Sequence, residues 1–101
     1  MHTIFGPIGL ANLLERHLDD AVVWLRRALQ EQPGGLHLLA GLVSAYAHLG
    51  RTEDTQSTMQ RLVETGPKTL TDWSRWFEVY RRESDRVYLL EGLRLAGMPE
   101  V

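Results

Sequence analysis

Few side chains in this 101-residue sequence have the type and spacing to do chemistry. His17, Asp19 and Asp20 are close enough in sequence to be drawn as metal ligands. They also straddle a helix start, where acidic side chains favour the exposed amides of the first turn, and that role accounts for them. His2, His37 and His48 have no serine, cysteine or carboxylate at a defined spacing, so they read as surface residues and not as half of a nucleophile–base pair. Gly92 and Gly97 in EGLRLAG lie in and after a helix, without the Lys-Ser/Thr that completes a phosphate-binding loop. H-E-x-x-H and G-x-S-x-G do not occur. With no cysteine, disulfides and thiolate metal sites are excluded. The expectation is no catalytic residue, no cofactor and no metal: not an enzyme within these residues.

Two groups of residues point to contacts instead. Trp73, Trp76, Phe77 and Tyr80 fall at helical spacing, the pattern of a core stripe. Arg81, Arg82 and Arg86, with Arg75 one face away, form a concentrated basic patch in which Glu78, Glu83 and Asp85 are interleaved. A net charge of −2, with both signs spread along the chain, argues against nucleic acid as a partner. Apolar content of 44% and charged content of 24% are those of one globular domain. No apolar run reaches the ~18 residues that cross a bilayer. MHTIFGPIGLANLLER lacks the basic start and long apolar stretch of a signal peptide. The expected setting is therefore cytoplasmic, with no membrane partner.

The elements that hold these residues repeat. A shift of 34 positions aligns Phe5, Leu39 and Trp73; Ile8, Leu42 and Trp76; Asn12, Tyr46 and Tyr80; Leu25, Met59 and Leu93; and Ala28, Leu62 and Ala96, with Pro33 on Pro67. Trp24, whose equivalents are Thr58 and Gly92, is not a recurrent core position and is expected at a helix boundary or contact surface.

Each unit reads as a helical pair. Pro7 suits a first helical turn, where its missing amide costs nothing, so a helix is expected from Gly6-Pro7 to about Arg16. A second, from Asp19-Asp20 to about Glu31, carries the stripe Val22, Leu25, Ala28 and Leu29. In the central unit, residues 36–67, a helix buries Leu36, Leu39, Leu42, Val43, Tyr46 and Leu49 and ends at Gly50, a good C-terminal cap. Thr52 is expected to cap the partner helix at about 53–64, which turns Thr55, Met59, Leu62 and Val63 inward. In the third unit Thr69 and Asp72 suggest a capping box opening a helix over 70–82 that buries Trp73, Trp76, Phe77 and Tyr80. Ser84 is expected to cap a last helix over 84–96, with Val87, Leu90, Leu93 and Ala96 as its stripe, ended by Gly97 and Pro99.

A 34-residue helical hairpin with a large apolar residue near its start, an aromatic in its first helix and a closing proline resembles the tetratricopeptide repeat (TPR). The chain departs from that pattern at Thr55, where alanine is usual, at Asn12, where an aromatic is usual, at Arg16 in place of a turn glycine, and at Val101 in place of proline. The resemblance implies an all-α fold, a right-handed α-α superhelix of three hairpins and about six helices. The whole of 1–101 would be a single domain with units at about 2–35, 36–69 and 70–101. It also implies a non-catalytic protein-binding module in which the first helix of each unit lines a concave face. The family's groove positions carried onto this chain are Leu10, Leu13 and Leu14, then His37, Ala40, Ser44 and His48, then Thr71, Ser74, Arg75, Glu78 and Arg82. Such a groove suits an extended peptide with an acidic group near Arg75 and Arg82.

A narrower likeness concerns the ends. GLANLLERHLDDAVVWLRRALQEQPG, AHLGR and EGLRLAGMPE are similar to the repeat tail of bacterial proteins in which a class III adenylate/guanylate cyclase domain comes first. That likeness implies the C-terminal part of a larger signalling protein, whose effector domain lies upstream and is itself a candidate partner. Similar tails follow DNA-binding output domains, so a transcriptional regulator is the alternative parent. A second expectation is a homodimer formed through Ile4, Phe5 and Ile8.

Overall fold

A computed structural model describes residues 4–101; His2 and the start of the first unit lie outside the described residues. Among the described residues six α-helices follow one another: α1 Phe5–Leu14, α2 Leu18–Glu31, α3 Leu36–Leu49, α4 Thr52–Thr65, α5 Leu70–Trp76 and α6 Glu83–Leu95, with a 3₁₀ turn at Phe77–Val79 between the last two. There is no strand among the described residues.

The first four helices form the two expected hairpins, α1 on α2 and α3 on α4, with α3 also seated on α2. α3 is the central element. Every residue from Leu38 to Tyr46 is buried, as required of a helix that is apolar all round. Gly41 lets it come close to α1: a Cβ there would lie 3.0 Å from Leu10 Cδ2. The stripes of α2 and α4 face inward as their spacing predicts, with Val22, Leu25, Ala28 and Leu29 buried in one and Thr55 and Leu62 in the other.

The same turn closes α1 and α3. At Gly50 (φ 75°) the next amide, of Arg51, donates to the Tyr46 carbonyl at 3.0 Å. At Arg16 (φ 69°) the amide of His17 donates to the Asn12 carbonyl at 2.8 Å. These two positions are 34 residues apart, and the left-handed conformation that glycine takes freely is held at the first of them by an arginine.

Four local expectations are corrected. Thr52 is not a cap: Arg51 takes the flanking position without a side-chain cap bond, and Thr55 Oγ1 bonds back to the Arg51 carbonyl at 2.7 Å. Ser84 does not cap either, because α6 begins one residue earlier, at Glu83. α5 does not run to 82. It tightens into 3₁₀ at Phe77, and Tyr80 is extended (ψ 128°). Trp73, Trp76, Phe77, Val79 and Tyr80 are bulky residues with modest helix propensity, and the Arg86 guanidinium takes the Tyr80 and Arg81 carbonyls that the broken helix frees. Finally, the buried face of α6 is Leu89, Gly92 and Leu93, and Val87 is 56% exposed, because α6 packs on α3 as well as α5. Thr69 does cap α5, accepting the Asp72 amide at 3.2 Å.

The irregular ending EGLRLAGMPE closes the third unit. Gly97 (φ 99°) ends α6, Met98 is buried, and the Pro99 and Glu100 carbonyls accept the Leu70 and Thr71 amides. Arg94 reaches Glu100 at 2.6 Å and Glu91 at 3.2 Å.

Candidate partner-binding surfaces

α6 crosses the side of α3 that carries the expected groove positions. Gly92 packs against Ser44 so closely that a Cβ on residue 92 would lie 2.6 Å from Ser44 Cα. Tyr88 stacks on His48 with ring centroids 3.9 Å apart and planes 3° off parallel, and His48 Nε2 donates to the Tyr88 carbonyl at 3.0 Å. Arg16 places its guanidinium 3.6 Å from the Tyr88 ring centre and 3.8 Å from Asp85. Burial raises the Tyr88 hydroxyl pKa, with Arg16 opposing.

Ser44 and His48 therefore do not line an open groove. Ser44 is fully buried with Oγ lacking a hydrogen-bond partner, and His48 lies under Tyr88. Ala40 and Leu13 are also fully buried, leaving Leu10 and Leu14 half-buried. The sequence lacked a signal for this arrangement because Gly92 looks like a helix weakness until it is seen to admit another backbone.

His37, at the other end of α3, sits among four rings: Trp76 at 5.4 Å, Trp73 at 6.2 Å, Phe77 at 6.3 Å and Tyr80 at 6.4 Å. Burial lowers its pKa below 6.5. Trp73 and Phe77 are core, and the Trp73 indole donates to the Pro67 carbonyl at 2.9 Å. Trp76 is not fully buried as expected: it is 37% exposed, and Val79 is 70% exposed.

Thr71 is exposed, but its hydroxyl donates to the Glu100 carbonyl at 2.7 Å, and Ser74 donates to Thr71. Arg75, Glu78 and Arg82 are exposed. Their spacing would put them on one face of a continuous helix, but the break after Trp76 takes Arg82 out of that register. Arg81 and Arg82 flank the same break, with Arg86 turned inward onto the freed carbonyls.

Trp24, expected at a contact, stacks on Phe5 at 5.6 Å, and Arg27 approaches both rings. His17 lies 3.6 Å from Glu15, and Asp19 and Asp20 occupy the first turn of α2. Among the described residues no three His, Asp or Glu side chains converge as metal ligands, and no helix is long and apolar enough to cross a membrane.

One surface was missed in the sequence. Two adjoining clefts share Arg26 and Gln30: one of about 420 Å³ between α2 and α4, reaching Arg61, and one of about 500 Å³ along α2, reaching Arg27 and Arg51. The available signal was the 34-residue shift, which aligns Arg27 with Arg61.

No curated protein and no solved structure matches the chain. The family model of the tetratricopeptide repeat matches residues 12–77, about two thirds of the sequence, ending where α5 gives way to the 3₁₀ turn. Two regular hairpins with a 34-residue period, and a family match that runs from the end of α1 through the second hairpin into α5, place this chain in the tetratricopeptide repeat family.

Proposed function

We propose that this chain is a non-catalytic protein-binding module that takes a partner segment at the surface where α5 ends. The observation that carries the reading is the patch formed by Arg75, Trp76 and Val79. An indole one-third exposed beside an exposed valine and an arginine that makes no ion pair among the described residues is the composition of an interface anchor. Of the residues carried over from the family, His37, Thr71, Arg75, Glu78 and Arg82 remain near this end of the molecule as contacts for a peptide or protein. Ser44 and His48 serve the internal docking of α6 instead.

The parent we propose is a bacterial signalling protein of the cytoplasm, a class III nucleotide cyclase being favoured by the EGLRLAGMPE ending, with the module binding a separate protein or its own upstream effector domain. A photo-crosslinking residue at position 75, compared with one at Glu64, tests the reading in cells of the source organism. A discrete adduct at 75 that is absent at 64 is expected, and no adduct at either position overturns it.

A homodimer is the second reading, favoured by the exposed Ile4 and Val23 (68% and 53%). Sedimentation equilibrium decides it: a monomer at high concentration ends the idea.

A further inference from the structure

We propose that the cleft between α2 and α4 is a second binding site, for an extended acidic segment of a partner protein. Its floor is buried core, and its accessible lining is mainly polar. Leu29, Leu42 and Tyr46 are each at most 5% exposed and line its inner wall. Its rim is polar and cationic: Arg26, Gln30, Ser57 and Arg61 on one stretch, with Arg51 at the junction with the neighbouring cleft.

Charge complementarity chooses the occupant. Among the described residues Arg26 and Arg61 make no ion pair and no side-chain hydrogen bond, although the chain as a whole carries a charge of −2. The carboxylates that line the clefts are Asp19 and Asp54, and Asp54 is engaged by Arg51 at 2.6 Å. Arg51 in turn lies 4.9 Å from the Tyr46 ring centre, which holds it at the cleft wall. Two unpaired guanidiniums along one slot, with Gln30 and Ser57 as neutral hydrogen-bonding groups between them, match carboxylates spaced along an extended chain. Their spacing across two helices does not form a pocket closed around a single ion. No lining residue comes from α5, α6 or the 3₁₀ turn, so the site is separate from the Arg75–Trp76 patch.

The probe is a fluorescein-labelled decapeptide of alternating glutamate and serine, followed by anisotropy. Saturable binding is expected, weakened at least tenfold by R26E with R61E, and lost when glutamine replaces glutamate in the peptide. Raising the salt from 50 to 500 mM should weaken it further, as exposed charges are screened. Backbone amide shifts at Arg26, Gln30, Ser57 and Arg61 should accompany binding.

R75E with R82E should leave the affinity unchanged, so a failure here is distinguishable from a failure of the α5 site. Unaltered far-UV circular dichroism establishes that the variants are folded, and a single R61Q variant serves if the double one is not. Absence of saturable binding, equal affinity in R26E/R61E, loss in R75E/R82E alone, or tighter binding of a single-stranded RNA of equal length would each overturn the proposal.

Discussion

Gly92 of α6 faces Ser44 of α3 at a separation that leaves no room for a side chain. A Cβ on residue 92 would meet the Ser44 hydroxyl first and, at 2.6 Å, the Ser44 Cα behind it, so the α3 backbone would have to give as well as a side chain. Ordinarily alanine improves a helix over glycine by about 1 kcal/mol. Gly92→Ala should instead destabilise the protein by about 1–3 kcal/mol, the usual range for overpacking. Urea unfolding measures this, and a stabilised variant would mean that α6 does not dock on α3.

Ser44→Ala should act in the opposite direction. Its Oγ is buried without a partner, and an unsatisfied buried hydroxyl costs about 1–3 kcal/mol. Removing it is expected to raise stability by about 1 kcal/mol. A loss of that size would show that the hydroxyl has a partner in solution.

Tyr46 and Trp73 anchor the two ends of the core, 4% and 0% exposed. Alanine at either should cost about 3–5 kcal/mol. Trp76→Ala, three residues from Trp73 but partly in solvent, should cost less than about 2 kcal/mol while removing the crosslink at position 75. Equal losses at 73 and 76 would mean that the α5 ending is packed differently.

Because burial lowers the His37 pKa below 6.5, the unfolded chain binds the proton more readily than the folded one. The contribution of neutral His37 is therefore fully present above about pH 6.5, the unfolded value, and declines as the pH falls towards the lower folded pKa. His37→Phe keeps a ring among Trp73, Trp76, Phe77 and Tyr80 and should remove this acid-side decline. Unfolding free energies at pH 7.5 and 5.5 for both proteins check it, and an identical slope would assign the dependence to other groups.

The repeat was legible because it is written in apolar residues whose burial is decided by period alone. Leu25, Met59 and Leu93 kept their inward register, and so did Ala28, Leu62 and Ala96. The Arg16 turn was legible as a departure from glycine at the place where Gly50 recurs. The third unit was not. Trp76 and Tyr80 align with Leu42 and Tyr46, but crowding of large rings around His37 ended the helix that the alignment implied. Ser44 and His48 occupied the right positions for a groove and lost that role to Gly92 and Tyr88, which lie 48 and 40 residues away. The Arg26–Arg61 cleft was missed for a similar reason: its members belong to different helices, and only folding brings them together.

Arg16 holds a conformation that suits glycine, and its guanidinium joins Tyr88 and Asp85 at the far end of the chain. The hairpins α1–α2 and α3–α4 close over short sequence distances, whereas this clasp closes a loop over most of the molecule. Such a loop carries a larger closure entropy and lengthens the search that folding must make. The hairpins are thus positioned to assemble first, with α6 arriving last on a surface already built. Synthesis from the ribosome runs in the same direction, so Arg16 and its turn would be in place before the helix they receive has emerged.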